Sequence, residues 1–194
     1  MAFIAVALDE SAADVSPFAE NITLPVLVDR DHVLSETLAV SNVPTVVWVD
    51  EADRIVVPNW VAFSNDLFVD FHGLQSGPGL DAIRAWVRTG EVPEHLGVDP
   101  GEAVGDLTED EESARLWFRL AAELRRSGNE AAAAERFARA GELAPNDFTI
   151  RRAAMPLVGD DPFGEKFFEL YGSWQAAGSP YHGIAPDRPD TAPT

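Results

Sequence analysis

Asn42-Val43-Pro44-Thr45-Val46-Val47-Trp48-Val49-Asp50 is the stretch on which the reading of this chain turns. The run from Thr45 to Val49 is apolar and rich in β-branched residues, and it is bounded by Pro44 and Asp50. A run that short and so bounded predicts a buried strand rather than a helix. Asp50 to Asp53 then predicts a turn, and Arg54-Ile55-Val56-Val57 the returning strand of a hairpin.

Toward the N-terminus, Phe3-Ile4-Ala5-Val6-Ala7-Leu8 is continuously apolar and predicts a strand buried on both faces. Ser16-Pro17 fits a helix cap with proline at the first helical position, predicting a short helix to about Asn21. Pro25 to Asp29 predicts a second buried strand. Asp31 is placed to cap a helix whose Val33, Leu34, Leu38 and Val40 face the core. Toward the C-terminus, Leu80, Ile83, Ala85, Trp86 and Val87 mark an amphipathic helix ended by Gly90. The order β-α-β-α-β-β-α predicts an α/β layered domain.

Beyond it, Asp99, Glu102, Asp106, Glu109, Asp110, Glu111 and Glu112 are interrupted by no basic residue, which reads as a solvated linker over 99–112 and a helix approach. Thr108 with Glu111 fits a capping box. Helices are expected over 112–127 and 130–143, separated by Ser127-Gly128-Asn129 and stopped before Pro145. A further helical stretch from Phe148 breaks at Pro156 and resumes from Phe163 to Trp174. From residue 175 onward the glycine and proline content predicts a disordered tail, in which Tyr181-His182-Gly183 carries no mechanism.

Trp117, Leu120, Ala121, Leu124, Gly128, Ala133, Phe137, Ala140 and Pro145 fall at the spacing of one tetratricopeptide repeat, which residues 114–145 resemble. Trp117, Leu120, Ala121 and Leu124 are expected to form one apolar stripe, and Ala133, Phe137 and Ala140 the facing one. One helical pair cannot bury its own face, so it should dock on the Phe163–Trp174 helix or on the α/β part. Its expected role is either a groove for a protein partner or a stabilising cap.

The Val43-Pro44-Thr45 turn, with Phe3–Asp9 and Leu24–Asp31 before it, resembles the TlpA/ResA-like branch of thioredoxin-fold oxidoreductases over residues 1–90. The resemblance implies an incomplete thioredoxin-like sheet over 1–98, followed by the all-α helical-hairpin module over 113–174. It implies thiol–disulfide exchange with a thiol-containing protein or peptide. It also implies a cis Pro44, with Val43, Pro44 and Thr45 facing the substrate. In that family the redox cysteines lie on a strand and helix upstream of the segment matching Phe3–Leu8.

This chain contains no cysteine, so it has no thiolate nucleophile, disulfide or cysteine-ligated metal, and is expected to be redox-inactive as it stands. Two explanations stand side by side. One is a reading frame that starts downstream of a redox motif, for which a selenocysteine codon read as a stop offers a route. The other is a domain that keeps only a binding surface.

The chain has 33 acidic against 14 basic residues, a formal net charge of −19, which disfavours nucleic-acid and anionic-membrane partners. With no signal-like start and no apolar run near 18 residues, a cytoplasmic location is expected. No cofactor and no catalytic residue is expected. His32 beside Asp29 and Asp31 suggests either a metal ligand or a capping turn, with the turn preferred. His72, after Trp60, Phe63, Phe68 and Phe71, suggests either a cleft or core packing, with packing preferred.

Overall fold

The computed structural model describes residues 1–180 except Phe63 and Phe68. It is mixed α/β and divides into two compact units, one of residues 1–39 with 107–180 and one of residues 40–106. The first 39 residues therefore pack with the helical module, whereas a domain over 1–98 was expected.

In the first unit, β1 (Ala5–Ala7), α1 (Ala12–Ala19), β2 (Val26–Val28) and α2 (Val33–Thr37) lead into the chain. β1 and β2 pair in parallel, with Ala5 opposite Val26 and Ala7 opposite Val28. Two expectations fail here. The strand expected to be buried on both faces leaves Phe3, Ile4 and Val6 exposed, and Leu27 of β2 with them. A sheet of only two strands offers too little surface to cover its own side chains. The helix expected from Pro17 instead begins at Ala12, behind Ser11, and carries Pro17 inside it. Ser11 Oγ donates to Asp14 at 2.7 Å and holds that earlier start.

The cap of α2 also differs. Asp29, rather than Asp31, accepts from the backbone N–H groups of Leu34 and Ser35 and from Ser35 Oγ, at 3.1, 2.8 and 2.9 Å. Leu34 is exposed, while Ser35 and Glu36 are buried.

The helices of this unit are α6 (Glu109–Arg126), α7 (Glu130–Leu143), α8 (Phe148–Leu157) and α9 (Glu165–Ala176). α3 (Val69–His72), α4 (Ser76–Thr89) and α5 (Pro100–Val104) belong to the second unit. The expected capping box closes the start of α6: Thr108 Oγ1 accepts from Glu111 N while a Glu111 oxygen accepts from Thr108 N at 2.8 Å. Gly128 turns the chain at φ +80°, a backbone open chiefly to glycine. Ala114, Phe118, Ala121, Ala133, Phe137, Ala140, Ile150, Ala153 and Leu157 make the core of α6, α7 and α8. α9 adds Leu170 and Trp174 against Phe148 and Met155. It runs two residues past Trp174, and Trp174 Nε1 donates to Pro180 O at 2.9 Å, so order extends into the expected tail. Residues 181–194, with Tyr181-His182-Gly183, lie outside the described part.

In the second unit, β3 (Thr45–Val49) and β4 (Ile55–Val61) form the expected hairpin, followed by α3 (Val69–His72), α4 (Ser76–Thr89) and α5 (Pro100–Val104). The hairpin is antiparallel, and its turn is held by Asp50 Oδ1, which accepts from Ala52 and Arg54 N–H, each at 2.9 Å. Where a single sheet was expected over 1–98, the described residues form two sheets of two strands each. Trp48 meets Trp60 edge-on at 5.4 Å and stacks on Trp86 at 4.9 Å, forming a core with Val57 and Leu96. Part of the stretch expected as a linker folds as α5, with Asp99 capping Gly101 N–H at 2.8 Å.

Candidate functional site

The expected substrate-facing turn lies at the entry to β3. The Val43–Pro44 peptide bond is cis, as the resemblance implies. Thr45 Oγ1 donates to Asn42 O at 2.8 Å, closing the turn on itself. Val43 is exposed and Pro44 and Thr45 are half-buried. Thr45 is opposite Val61, so one edge of β3 is taken by β4. No strand among the described residues pairs with the other edge. A strand edge that no other strand occupies, beside an exposed turn, can receive an extended polypeptide as a further strand. The given sequence holds no cysteine to serve as a sulfur nucleophile beside that turn.

The residues singled out for the helical module differ in their burial. Ala121, Ala133, Phe137 and Ala140 are buried, and Trp117 and Leu124 pack against that core. Arg136 lies over the Trp117 ring at 5.5 Å. Pro145 follows the end of α7, and its carbonyl accepts from Arg151 Nη1 at 3.4 Å. Leu120 departs from the expected stripe, being 44% exposed. The fully buried Phe118, which meets Phe137 at 5.3 Å, takes the inward position instead.

Sequence reasoning missed a buried ion network. Arg115 of α6 is bidentate to Asp147, with Nε to Oδ2 at 2.5 Å and Nη2 to Oδ1 at 3.1 Å, and its Nη1 donates to Glu36 O at 2.8 Å. Arg119 Nε donates to Glu36 Oε2 at 2.6 Å. These bonds tie α2 to the helices and raise the Arg119 pKa, first through the Glu36 hydrogen bond. Burial raises the Asp147 carboxyl above its ordinary value, against the opposing charge of Arg115. Nearly two turns beyond Arg119 on α6, Arg125 is buried and pairs with Glu10 and Asp31. No local pattern could have revealed this, because the partners are far apart in sequence. The only hint was two arginines on one face of a helix otherwise opened by acids.

His32 is buried at the start of α2 with φ +53°. Burial lowers its pKa, with Asp29 and the Leu8 backbone opposing and Arg152 and Arg125 assisting. Among the described residues no group of three or more histidine, aspartate or glutamate side chains is placed to hold a metal. The side chains of Phe71 and His72, like Phe63 and Phe68, lie outside the described part. Among the described residues no helix is long and apolar enough to cross a membrane. No protein-family model, curated protein or solved structure matches this chain.

Proposed function

We propose that this chain is a thioredoxin-like scaffold of the TlpA/ResA type that binds an extended, thiol-bearing polypeptide without itself exchanging disulfides. The observation that carries the reading is the exposed Val43 turn leading into a strand with one unpaired edge among the described residues. The parallel β1–α1–β2 order followed by an antiparallel hairpin and α4 agrees with it.

The test is chemical-shift mapping of the labelled chain with reduced insulin B chain as the probe. Shifts should centre on Asn42 to Val46, persist in Val43→Ala and weaken in Val43→Pro, which removes an N–H from the receiving backbone. Insulin-disulfide reduction should stay at background. Measurable turnover, or shifts that ignore residues 42–46, would overturn the reading.

A second reading is favoured by one observation: Phe3, Ile4, Val6, Phe18 and Leu27 are exposed around β1 and α1. Apolar exposure on that scale marks an interaction surface. The chain would then be a non-catalytic interaction module that takes a partner strand at the β1–β2 sheet. Shifts confined to Ala5–Ala7 and Val26–Val28, unaffected by Val43→Pro, would select it.

A further inference from the structure

α9 carries a continuous aromatic surface on a part of the molecule that neither reading uses. Phe167 lies 6.0 Å from Phe163, 5.3 Å from Phe168 and 5.9 Å from Tyr171, centroid to centroid. Phe167 is anchored inward, 6.3 Å from the buried Phe148. Phe163 and Phe168 are 70% and 59% exposed, and Tyr171 also reaches solvent. Phe163 and Phe168 touch Phe167 yet keep most of their surface in water, and a contiguous cluster of exposed rings marks a surface for a covering partner.

The charges bordering the rings say what kind. Asp160, Asp161, Glu165 and Glu169 flank the patch in sequence, against Lys166 and Arg152. Lys166 is engaged by Asp160 at 2.6 Å, and Arg152 lies over the Phe167 ring at 5.7 Å. Asp161 is turned to its own chain, accepting from Phe163 N–H at 2.9 Å. Glu165 and Glu169 follow at one-turn spacing on α9, and neither has an ion pair with the described residues. A second copy of this chain would bring the same acidic border and the same net charge of −19 against it. An anionic lipid surface would be repelled likewise.

We infer that the face formed by Phe163, just before α9, and by Phe167, Phe168 and Tyr171 of α9 docks a basic amphipathic segment of another protein. Its aliphatic or aromatic side chains cover the rings, and its lysines or arginines reach Glu165 and Glu169. The apolar contact supplies the affinity, and the charged border selects the sign of the partner and speeds encounter.

The test uses a fluorescent peptide of leucines and lysines at helical spacing, and the same peptide with glutamate in place of lysine, titrated with the full chain. The lysine peptide should bind and the glutamate peptide should not. Phe163→Ser with Phe168→Ser, two exposed positions whose exchange leaves the core intact, should weaken binding by about tenfold or more. Glu165→Gln with Glu169→Gln should weaken it by about threefold in dilute buffer, a difference that shrinks toward about 0.5 M salt. Circular dichroism checks that both variants fold. Failure of the lysine peptide to bind, equal binding of the glutamate peptide, or binding by the double-serine variant within about twofold of the original overturns the inference. The last result would mean that the general negative field of the chain, rather than this face, attracts the peptide.

Discussion

Replacing Arg115 by methionine tests whether the buried ion network holds residues 1–39 to the helices. Methionine fills much of the same volume but removes the only cation that the described residues bond to Asp147, whose side chain is fully buried. It also removes the donor to Glu36 O, while Glu36 keeps Arg119. Breaking a buried pair by deleting one partner costs about 3–5 kcal/mol, because the other charge is left without compensation. In a unit of this size that corresponds to a fall of roughly 10–20 °C in the unfolding midpoint.

The pH dependence gives the sharper check. A carboxyl whose folded pKa lies above its unfolded value near 3.9 loses stability as pH rises from about 4 through the folded pKa, since the unfolded chain releases its proton first. Burial already pushes Asp147 in that direction, and without Arg115 no other described residue of opposite charge is bonded to it. The penalty of Arg115→Met should therefore be largest near neutral pH and fade toward about pH 4. Asp147→Leu added to Arg115→Met should recover most of the loss, since an apolar pair of similar volume has no stranded charge. Urea unfolding followed by far-ultraviolet circular dichroism reports the helical unit, and hydrogen exchange of peptides from 1–39 reports its attachment. A penalty below about 1 kcal/mol, or one that stays flat between about pH 4 and pH 8, would falsify the assignment of a desolvated Arg115–Asp147 pair.

Three further outcomes are expected. Because burial depresses the His32 pKa, stability should fall as pH drops from about 6.5 toward the folded value, and His32→Asn, which tolerates the positive φ, should flatten that slope in urea titrations. A Cβ on Gly79 would sit 2.9 Å from Trp60 Cη2, so Gly79→Ala should cost about 1–3 kcal/mol and perturb the near-ultraviolet signal of the tryptophan cluster. Thr108→Ala removes the capping box of α6 and should cost about 1 kcal/mol, with faster amide exchange confined to the first turn of that helix.

The elements legible in the sequence are those specified within a few residues of themselves. β3 ends where its apolar run ends, at Val49, and Asp50 turns the chain through its own side chain. The α6 box needs only Thr108 and Glu111, and the end of α4 needs only Gly90, whose φ of +73° is a glycine conformation. The Val43-Pro44-Thr45 turn belongs to the same class, being closed by its neighbour Asn42. The helix at Pro17 was misplaced because two serines compete to start it, and Ser11 has Asp14 in reach.

Burial in the first 39 residues was illegible for a different reason. The expectation that apolar side chains face inward assumes that apolar contact is what attaches a segment. Here α2 and its flanks also carry long-range ion pairs to α6: Glu36 to Arg115 and Arg119, and Glu10 and Asp31 to Arg125. Those partners lie 79 to 115 residues away, where no periodicity reaches them. A segment held down through its acids has its apolar residues left over, and Phe3, Ile4, Val6 and Leu27 duly face out. The ion network and the exposed sheet are thus one feature seen from two sides. If Arg115→Met loosens residues 1–39, it should also weaken whatever strand the β1–β2 surface accepts, while leaving the α9 aromatic face to bind its basic peptide unchanged.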